Sequence, residues 1–597
     1  MLRYFNKFGL ISYLCFLILI SVSAFSASAQ ETAPTATATP EIVVNEEVEI
    51  PHVDDKQEVQ PENLKGVPVI APNYESEDRT LPDLGRVGVD MMQQLPISIK
   101  EAIVRALDNN KDIEVTRQNV RIAEFDFQAA DGAFEPGFTG QTLYERATVP
   151  NVSIFSTNQT TTNESIVGNI RYSGSLRRFG TNYYAEINNT RLGTNNPISI
   201  LSPQYNTNFN FGISQPLFKG RNFDQRRRSI EITRRNLSLT DLQFRQNTIE
   251  IIANVQRAYW DLTFALRNLQ VQRDGVKDAK QQLAHNRRLV EEGQLAPIDI
   301  VAAETQVANL QLAVYDALET VNRAENNLKN LIAENRTDKI WTKSIVPTSN
   351  VELDAPNTTL PEALELALQN RPEIEQNKVA EDINKIDQNF FRDQTKPQID
   401  LTASYTSAGV GGSQNSSFSS PFPSPCQTNP ASPACQQFTN NINGLVGSPI
   451  TDIFANRYPT FRVGVTFSFN LDGKTQKAQL GRSLVEGERI ETQREQLEQV
   501  IQVDVRNALQ SVRTAEARLR TAAIARANSE RQYESEQRKL DAGQSDIYKV
   551  LERQTALVNA RSAELRAQTE LNKAIAELQR ATGNSLKDND VEARLRK

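Results

Sequence analysis

The chain has 597 residues, and its 66 lysines and arginines against 73 aspartates and glutamates give a formal net charge of −7. This mild acidity argues against nucleic-acid binding, since a surface that binds phosphates needs clustered cations. Only two histidines and three cysteines occur, and none has metal-ligand or nucleophile–base spacing. We therefore expect no catalytic residues, no metal site and no cofactor.

The first 29 residues have the organisation of a secretory signal peptide. Arg3 and Lys7 supply a positive start, an apolar run extends from Phe8 to Val22, and residues 27–29 form an A-x-A cleavage site. We therefore expect the chain to be exported. No later stretch has 18 consecutive apolar residues, so we expect no transmembrane helix after cleavage, and a barrel would be the way to span a membrane.

Residues 30–94 are rich in Pro, Thr and Ala with acidic clusters, and they have neither helical nor strand periodicity. A segment of this composition buries too little apolar surface to fold by itself. The sequence therefore predicts a disordered tether between the signal peptide and the folded part of the chain.

The rest of the chain contains an internal duplication. Segments of the first part recur 261 residues later, and segments further along recur 250 residues later. The matched pairs include Glu101-Ala102 with Glu362-Ala363, Ala106-Leu107 with Ala367-Leu368, Gly293-Gln294 with Gly543-Gln544, and Asn322 with Asn572. A period this long indicates a duplicated half-protein rather than a solenoid. We predict repeats at 95–334 and 360–583, a linker at 335–359 and a tail at 584–597.

Each repeat has the same predicted order: a helix of about 35 residues, an extended region, a very long helix, a turn with a glycine, and a further helix. The first helices begin at Ile97 and Pro361. The long helices carry heptad stripes, which predict left-handed coiled coils. The stripes consist of Ile230, Leu237, Phe244, Ile251, Val255, Leu262, Leu269, Val276, Leu283 and Val290, and of Ile501, Val505, Ala508, Val512, Ala515, Leu519 and Ala522.

The extended regions alternate polar and apolar residues, which is typical of barrel strands with an apolar face towards lipid. The predicted strands are 138–145, 207–215, 398–406 and 461–471. A further alternating pair, 166–173 and 183–189, either joins the barrel or caps it. The alternative for all of them is a half-buried strand of a soluble sandwich. Two to four strands cannot close a barrel, so the membrane interpretation requires several copies of the chain.

Residues 409–458 separate the strands of the second repeat and are dense in Ser, Asn, Pro and Gly. Long loops at one barrel end and short connections at the other are typical of outer-membrane proteins. Cys426 and Cys435 lie in this segment, and an oxidising exterior favours a disulfide bond between them.

Three motifs carry a resemblance to a known family. Gln215-Pro216-Leu217-Phe218 ends a strand before the long helix, and segments 291–299 and 541–546 are turns between helices that each contain a glycine. Together with the export signal and the duplicated half, these motifs give a resemblance to the TolC-like outer membrane efflux proteins. The resemblance covers residues 96–583. The resemblance implies a fold that is mainly α with β. In it, long antiparallel coiled-coil hairpins form a periplasmic tunnel, and strands contribute to a shared transmembrane β-barrel.

The same resemblance implies a location in the outer membrane with a periplasmic extension. Its partners would be two further copies in a homotrimer, a periplasmic adaptor of the membrane fusion type, an inner-membrane transporter and outer-membrane lipid. The protein would be no enzyme but the passive exit duct of a tripartite efflux or type I secretion system. The alternative is a structural coiled-coil protein that spans the envelope from an outer-membrane anchor. Heptad repeats alone do not distinguish this protein from an exit duct.

The resemblance also implies roles for residues at the two glycine turns, which match the family's periplasmic tips. The adaptor-docking residues would be Gly293, Gln294, Asp299, Gly543 and Gln544. The alternative is purely structural, because a tight turn between helices favours a glycine with positive φ.

Lys549 and Glu552 match the family's tunnel constriction, which uses acidic residues, so Lys549 departs from the pattern. Ser545 stands where the family has the arginine that would lock Asp299. The alternative for this face of the helix is simple solvation.

Overall fold

The computed structural model describes residues 85–151, 159–418, 429–445, 448–469, 471–589 and 591, all of which belong to the unit Asp83–Lys597. The predicted signal peptide at 1–29 and residues 30–84 of the predicted tether lie outside the described residues. Within the described ranges, no helix combines the length and apolarity needed to cross a membrane.

The large-sheet strands and the long helices follow the predicted order in both repeats. In the first repeat the helices and strands are β1 (Asp90–Ile97), α1 (Ile99–Asn109), α2 (Lys111–Asp131), β2 (Gly137–Pro150), β3 (Thr160–Ser175), β4 (Asn182–Thr194), β5 (Leu201–Pro216), α3 (Gln225–Glu291) and α4 (Pro297–Ile332). After β6 (Lys343–Pro347), the second has α5 (Leu360–Asn370), α6 (Pro372–Gln394), β7 (Gln398–Gln414), α7 (Pro433–Leu445), α8 (Pro449–Phe454), β8 (Tyr458–Ser468), α9 (Lys474–Asp541), α10 (Ile547–Ala581) and α11 (Ser585–Asp588).

The single helix predicted at the start of each repeat is two helices, so that prediction was wrong. Asn110 separates α1 from α2, because its side-chain oxygen caps α2 by accepting from the N–H groups of Asp112 and Ile113. Arg371 takes the equivalent place between α5 and α6. The following Pro372 disfavours a helical Arg371 but fits the first turn of α6.

Strands β2, β3, β4, β5, β7 and β8 form one antiparallel sheet in that order. The β3–β4 hairpin, whose place the sequence left open, therefore joins the sheet between β2 and β5. The strand bounds also differ from the prediction, because neighbouring strands extend the hydrogen-bonded ladder. β7 continues to Gln414, so the first residues of the predicted loop at 409–458 are strand.

The two faces of this sheet differ in chemistry, because side chains alternate along each strand. A row on one face consists of Phe461, Tyr405, Phe211, Ala185, Tyr172 and Phe138. The next row on the opposite face consists of Thr460, Thr406, Asn210, Glu186, Arg171 and Thr139. On that polar face the Thr406 hydroxyl lies 2.8 Å from the Asn210 side-chain oxygen.

A small second sheet joins the start of the folded chain to the linker between the repeats. β1 pairs in parallel with β6, with Leu95 opposite Ile345. The Tyr259 hydroxyl of α3 donates to the carbonyl of Ile97 at 3.1 Å and accepts from the N–H of Ser349 at 2.8 Å. Residues 90–94, predicted as the end of the disordered tether, are therefore strand. The predicted linker at 335–359 contains the other strand.

Most residues of the two heptad stripes are buried in the core. α3 packs against α4 and α9 packs against α10, while α10 also contacts α3. The buried stripe residues are Ile230, Phe244, Ile251, Val255, Leu262 and Leu269 on α3, and Ile501, Val505, Ala508, Val512, Ala515 and Leu519 on α9. Small residues permit close approach of the helices: a Cβ on Gly275 of α3 would lie 3.1 Å from a Val558 methyl of α10.

A buried ionic cluster ties the first described residues to α4. The Glu325 carboxylate accepts from Arg86 Nη1 and from the N–H of Ile345, both at 2.7 Å. Lys329 Nζ lies 3.5 Å from the same carboxylate and donates to the carbonyl of Trp341 at 3.1 Å. The side chains of Glu325 and Lys329 have no solvent exposure. Burial lowers the pKa of Lys329, because removal from water disfavours its charged form.

Candidate functional site: the helical tip

The two glycine turns have the same backbone geometry. Gly293 has φ 71° and Gly543 has φ 73°, in the left-handed region that favours glycine. In the first turn the N–H of Gln294 donates to the carbonyl of Leu289 at 2.8 Å, and in the second the N–H of Gln544 donates to that of Lys539 at 2.8 Å. These bonds close the C-termini of α3 and α9. The side chains of Gln294 and Gln544 are exposed.

The helices that leave the turns are capped in different ways. The Asp299 carboxylate accepts from the N–H of Ala296 at 3.1 Å, which satisfies a free donor at the start of α4. In the second turn Asp546 is itself the N-cap residue of α10 and accepts from the N–H of Lys549 at 3.0 Å. The carboxylate of Asp299 therefore has a local structural role that sequence reasoning did not identify.

Lys549 and Glu552 lie on one exposed face of α10, as their spacing of three predicts. The opposite face carries Ile547, Val550 and Leu551, which are buried against neighbouring helices. Lys549 Nζ also forms an ion pair with Asp546 at 3.2 Å, so part of its charge is compensated locally. Hydrogen bonds from the backbone and side chain of Lys549 lower the pKa of Asp546.

Ser545, which stands where the resemblance leads us to expect the arginine of a latch, bonds within its own hairpin. Its hydroxyl donates to the Glu536 carboxylate of α9, and this bond is the main reason that the pKa of Glu536 is lowered. Among the described residues, no ion pair joins Asp299 to the second hairpin. Asp299 and Ser545, the two positions of the expected latch, thus each form a hydrogen bond within their own hairpin.

Two other contacts join the hairpins near the tip, and sequence reasoning missed both. His285 Nε2 of α3 lies 3.3 Å from Asp541 at the end of α9. Further from the turns, Gln306 Nε2 of α4 donates to the Thr555 hydroxyl of α10 at 2.7 Å. Residues of the first hairpin recur 250 residues later in the second hairpin, so the duplication aligns the two hairpins in sequence. This alignment is the one signal in the sequence that could have suggested contacts between them.

Cys435 lies in the first turn of α7, in the long connection between β7 and β8, and is disulfide-bonded. Its predicted partner, Cys426, lies outside the described residues, so the pairing stays a prediction. Among the described residues, no cluster of three or more His, Cys, Asp or Glu side chains could hold a metal ion.

Comparison with known proteins supports the assignment of this architecture. A family model described as "Outer membrane efflux protein" matches residues 178–334 and 363–584, which is more than half of the chain and includes both turns. The two matched segments correspond to the two repeats found by the internal duplication. No curated protein matches the chain in sequence.

Solved structures agree with the family model on the fold. The outer-membrane channel OprN is 15% identical with a TM-score of 0.56, and 86% of this chain and 99% of that chain are covered. CusC, described in terms of transmembrane channel formation, is 15% identical with a TM-score of 0.57 at the same coverage. The Campylobacter jejuni outer membrane channel CmeC is 14% identical with a TM-score of 0.55, covering 88% and 99%.

The predicted fold class is confirmed: a mainly α protein with β strands, built from a duplicated half with long coiled-coil hairpins and a sheet of the barrel-forming type. The predicted location in the outer membrane is confirmed by the family model. The chain therefore belongs to the outer membrane efflux protein family and has a TolC-like fold.

Proposed function

We propose that this chain forms a homotrimeric, passive exit duct that works with a periplasmic adaptor and an inner-membrane transporter, in tripartite efflux or type I secretion. The observation that supports the proposal is that the two ends of the fold have different structures. One end is a sheet with an apolar and a polar face, and the other is a pair of equivalent helical hairpins with exposed turns. A structural anchor would need no polar face along the sheet.

The open edges of the sheet support assembly from several copies. β2 and β8 have one strand neighbour each, and nearly every residue of both is exposed. Unpaired backbone groups are not tolerated in lipid, so β8 of one copy must pair with β2 of the next. Three copies of a six-stranded sheet give a closed barrel of eighteen strands.

The tip supports docking of an adaptor. Gly293, Gln294, Gly543 and Gln544 are exposed, and both turns present them with the same backbone conformation. A homotrimer would therefore offer six similar turns around one axis, a repeated surface that suits an adaptor made of several copies. Asp299 would act there indirectly, by holding the start of α4.

We expect the purified mature protein in mild detergent to have a mass three times that of one chain, because one sheet cannot close a barrel. Light scattering with correction for detergent would measure this mass. In planar bilayers the same sample should conduct ions in discrete steps. A folded monomer would contradict the trimer. A stable trimer with no conductance, even when the His285 and Gln306 contacts are removed, would favour the structural alternative.

Lys549 and Glu552 are proposed to face the tunnel near its tip, where threefold symmetry would make each a ring of three charges. Lys549→Asp should then raise cation preference, and Glu552→Lys should shift preference towards anions. The effect should be clearest at low salt, where charges are weakly screened. Reversal potentials across a salt gradient measure the preference. Identical potentials in the wild type and both variants would put this face outside the conduction path.

A further inference from the structure

A patch of basic and apolar side chains lies at the end of the sheet nearest to the helices. It comprises Leu176, Arg178 and Phe179 of the β3–β4 turn and Phe218 and Arg221 of the connection from β5 to α3. We call these five residues the turn patch. All five are exposed, and the exposed fractions of the apolar ones are 51% for Leu176, 47% for Phe179 and 51% for Phe218. Large apolar side chains grouped in this way on a surface mark an interaction site.

The two segments that carry the patch are locked together. Arg227 at the start of α3 donates to the carbonyls of Arg177 and Arg221, at 2.9 and 2.8 Å, and so bridges both segments. Gly180 lies so close to the carbonyl of Gly220 that a Cβ would come within 2.7 Å of that oxygen. The turn patch is therefore a preorganised surface.

Phe179 is held in a backbone conformation that is costly for its residue type. Its φ is 73°, in the left-handed region that bulky residues rarely adopt. The Gln215 side chain stabilises this conformation by donating to the carbonyl of Phe179 at 3.0 Å. The ring lies near two cations: the guanidinium carbon of Arg178 is 5.1 Å from its centroid, and that of Arg221 is 6.0 Å away.

The turn patch continues the apolar face of the sheet. Leu176 directly follows the end of β3, and continuing the alternation of that strand by one residue puts Leu176 on the same face as Tyr172, which belongs to the apolar row. The neighbouring pair on that face is Tyr183 with Ile213. A membrane protein shows this succession of apolar, then aromatic, then cationic side chains where the hydrocarbon region meets the phospholipid headgroups.

The charges of the patch have no internal counterpart. Across the described residues, neither Arg178 nor Arg221 forms an ion pair. The neighbouring arginine, Arg177, is paired with Asp131, and the Asp224 carboxylate is engaged by the N–H of Arg227 at 2.8 Å. Two free guanidinium groups beside exposed aromatic rings match a phosphate at a lipid surface, because guanidinium binds phosphate through paired hydrogen bonds.

We infer that the turn patch binds the headgroup of an anionic phospholipid in the periplasmic leaflet of the outer membrane. Arg178 and Arg221 bind the phosphate, while Leu176, Phe179 and Phe218 insert among the upper acyl carbons. The site fixes the depth of the barrel at the level where the sheet gives way to the helices. This inference depends on the outer-membrane location and not on the adaptor or pump.

Native mass spectrometry of the purified, delipidated full-length assembly tests the site. Phosphatidylglycerol or phosphatidylcholine is titrated onto the wild type, onto Arg178→Gln/Arg221→Gln and onto a control, Arg513→Gln/Arg531→Gln, whose arginines are exposed on α9. The double glutamine variant should bind phosphatidylglycerol about 25-fold more weakly, roughly fivefold for each arginine. Phosphatidylcholine binding and the control should match the wild type, and high salt should reduce the difference.

Arg178→Lys/Arg221→Lys should keep most of the phosphatidylglycerol affinity, because it keeps both charges. Each single glutamine variant should lose about fivefold, so the test survives if the double variant does not fold. Equal binding of phosphatidylglycerol by the wild type and the glutamine variants would overturn the inference. So would an equal loss for both lipids together with dissociation of the assembly, since the patch would then contact another copy of the chain.

Discussion

Replacing Glu325 with Gln should destabilise the region around β6 by about 3–5 kcal/mol, because it leaves Arg86 and Lys329 as buried cations without a counter-charge. The Glu325 carboxylate is the common partner of both, at 2.7 and 3.5 Å. A loss of this magnitude raises the population of the locally open state by about two to four powers of ten. Hydrogen exchange of peptides that cover 343–347 measures it directly.

A matched control lies on the same helix. Glu319 pairs with Arg323 on the surface of α4, where both side chains are mostly exposed. Glu319→Gln should change stability by less than about 0.5 kcal/mol, because an exposed ion pair contributes little. The idea is contradicted if hydrogen exchange in the Glu325→Gln variant is no faster than in the Glu319→Gln variant. The buried cluster would then not hold β1 and β6 in place.

The substitution Lys329→Met removes the charge of Lys329 but keeps a side chain of similar length in the same cluster. It therefore tests whether the charge or the packing of this side chain stabilises the cluster. Burial disfavours the charge of Lys329, as its lowered pKa indicates, and the Arg86–Glu325 pair stays intact without it. We therefore expect Lys329→Met to cost clearly less than Glu325→Gln, although the carbonyl of Trp341 loses its donor. A larger cost than that of Glu325→Gln would mean that Lys329, and not Glu325, organises the cluster.

Val465→Arg should prevent insertion of the barrel, whereas Thr466→Arg should be tolerated. Val465 faces Leu401 on the apolar side of the sheet, and Thr466 faces Asp400 on the polar side. An arginine on the lipid face near the middle of the bilayer costs about 2–4 kcal/mol, while one in the lumen costs little. In an assembly of three copies the cost is incurred at three sites. Arg462 already lies on the polar side, in the same alternation.

The measurement for this pair is the amount of trimer recovered from the outer-membrane fraction and the temperature at which it dissociates. Both substitutions add the same side chain at adjacent positions of β8, so they differ only in the face that they occupy. Equal defects in the two variants would contradict the assignment of the apolar face to lipid. A defect confined to Thr466→Arg would reverse the two faces.

Patterns in the sequence were enough to identify the long helices, the turns between them, the alternating strands and the family. Most positions of the heptad stripe that includes Val255 and Leu262 are buried, because helix periodicity determines which side chains can share a face. The glycines at 293 and 543 predicted the two turns, because a left-handed residue ends both long helices. The offset between the repeats predicted that the two turns would be equivalent.

Only the tertiary structure decided how distant segments pair. The alternation in 166–189 indicates strands but cannot say which edges they meet, so the place of β3 and β4 in the sheet depends on partners far along the chain. The charges of Arg86 and Glu325 look solvated in the sequence, and their burial follows from the pairing of β1 with β6. Periodicity in the sequence predicts which face of a helix or strand is buried. It does not predict which other helix or strand packs against that face, because this depends on residues far away in the chain.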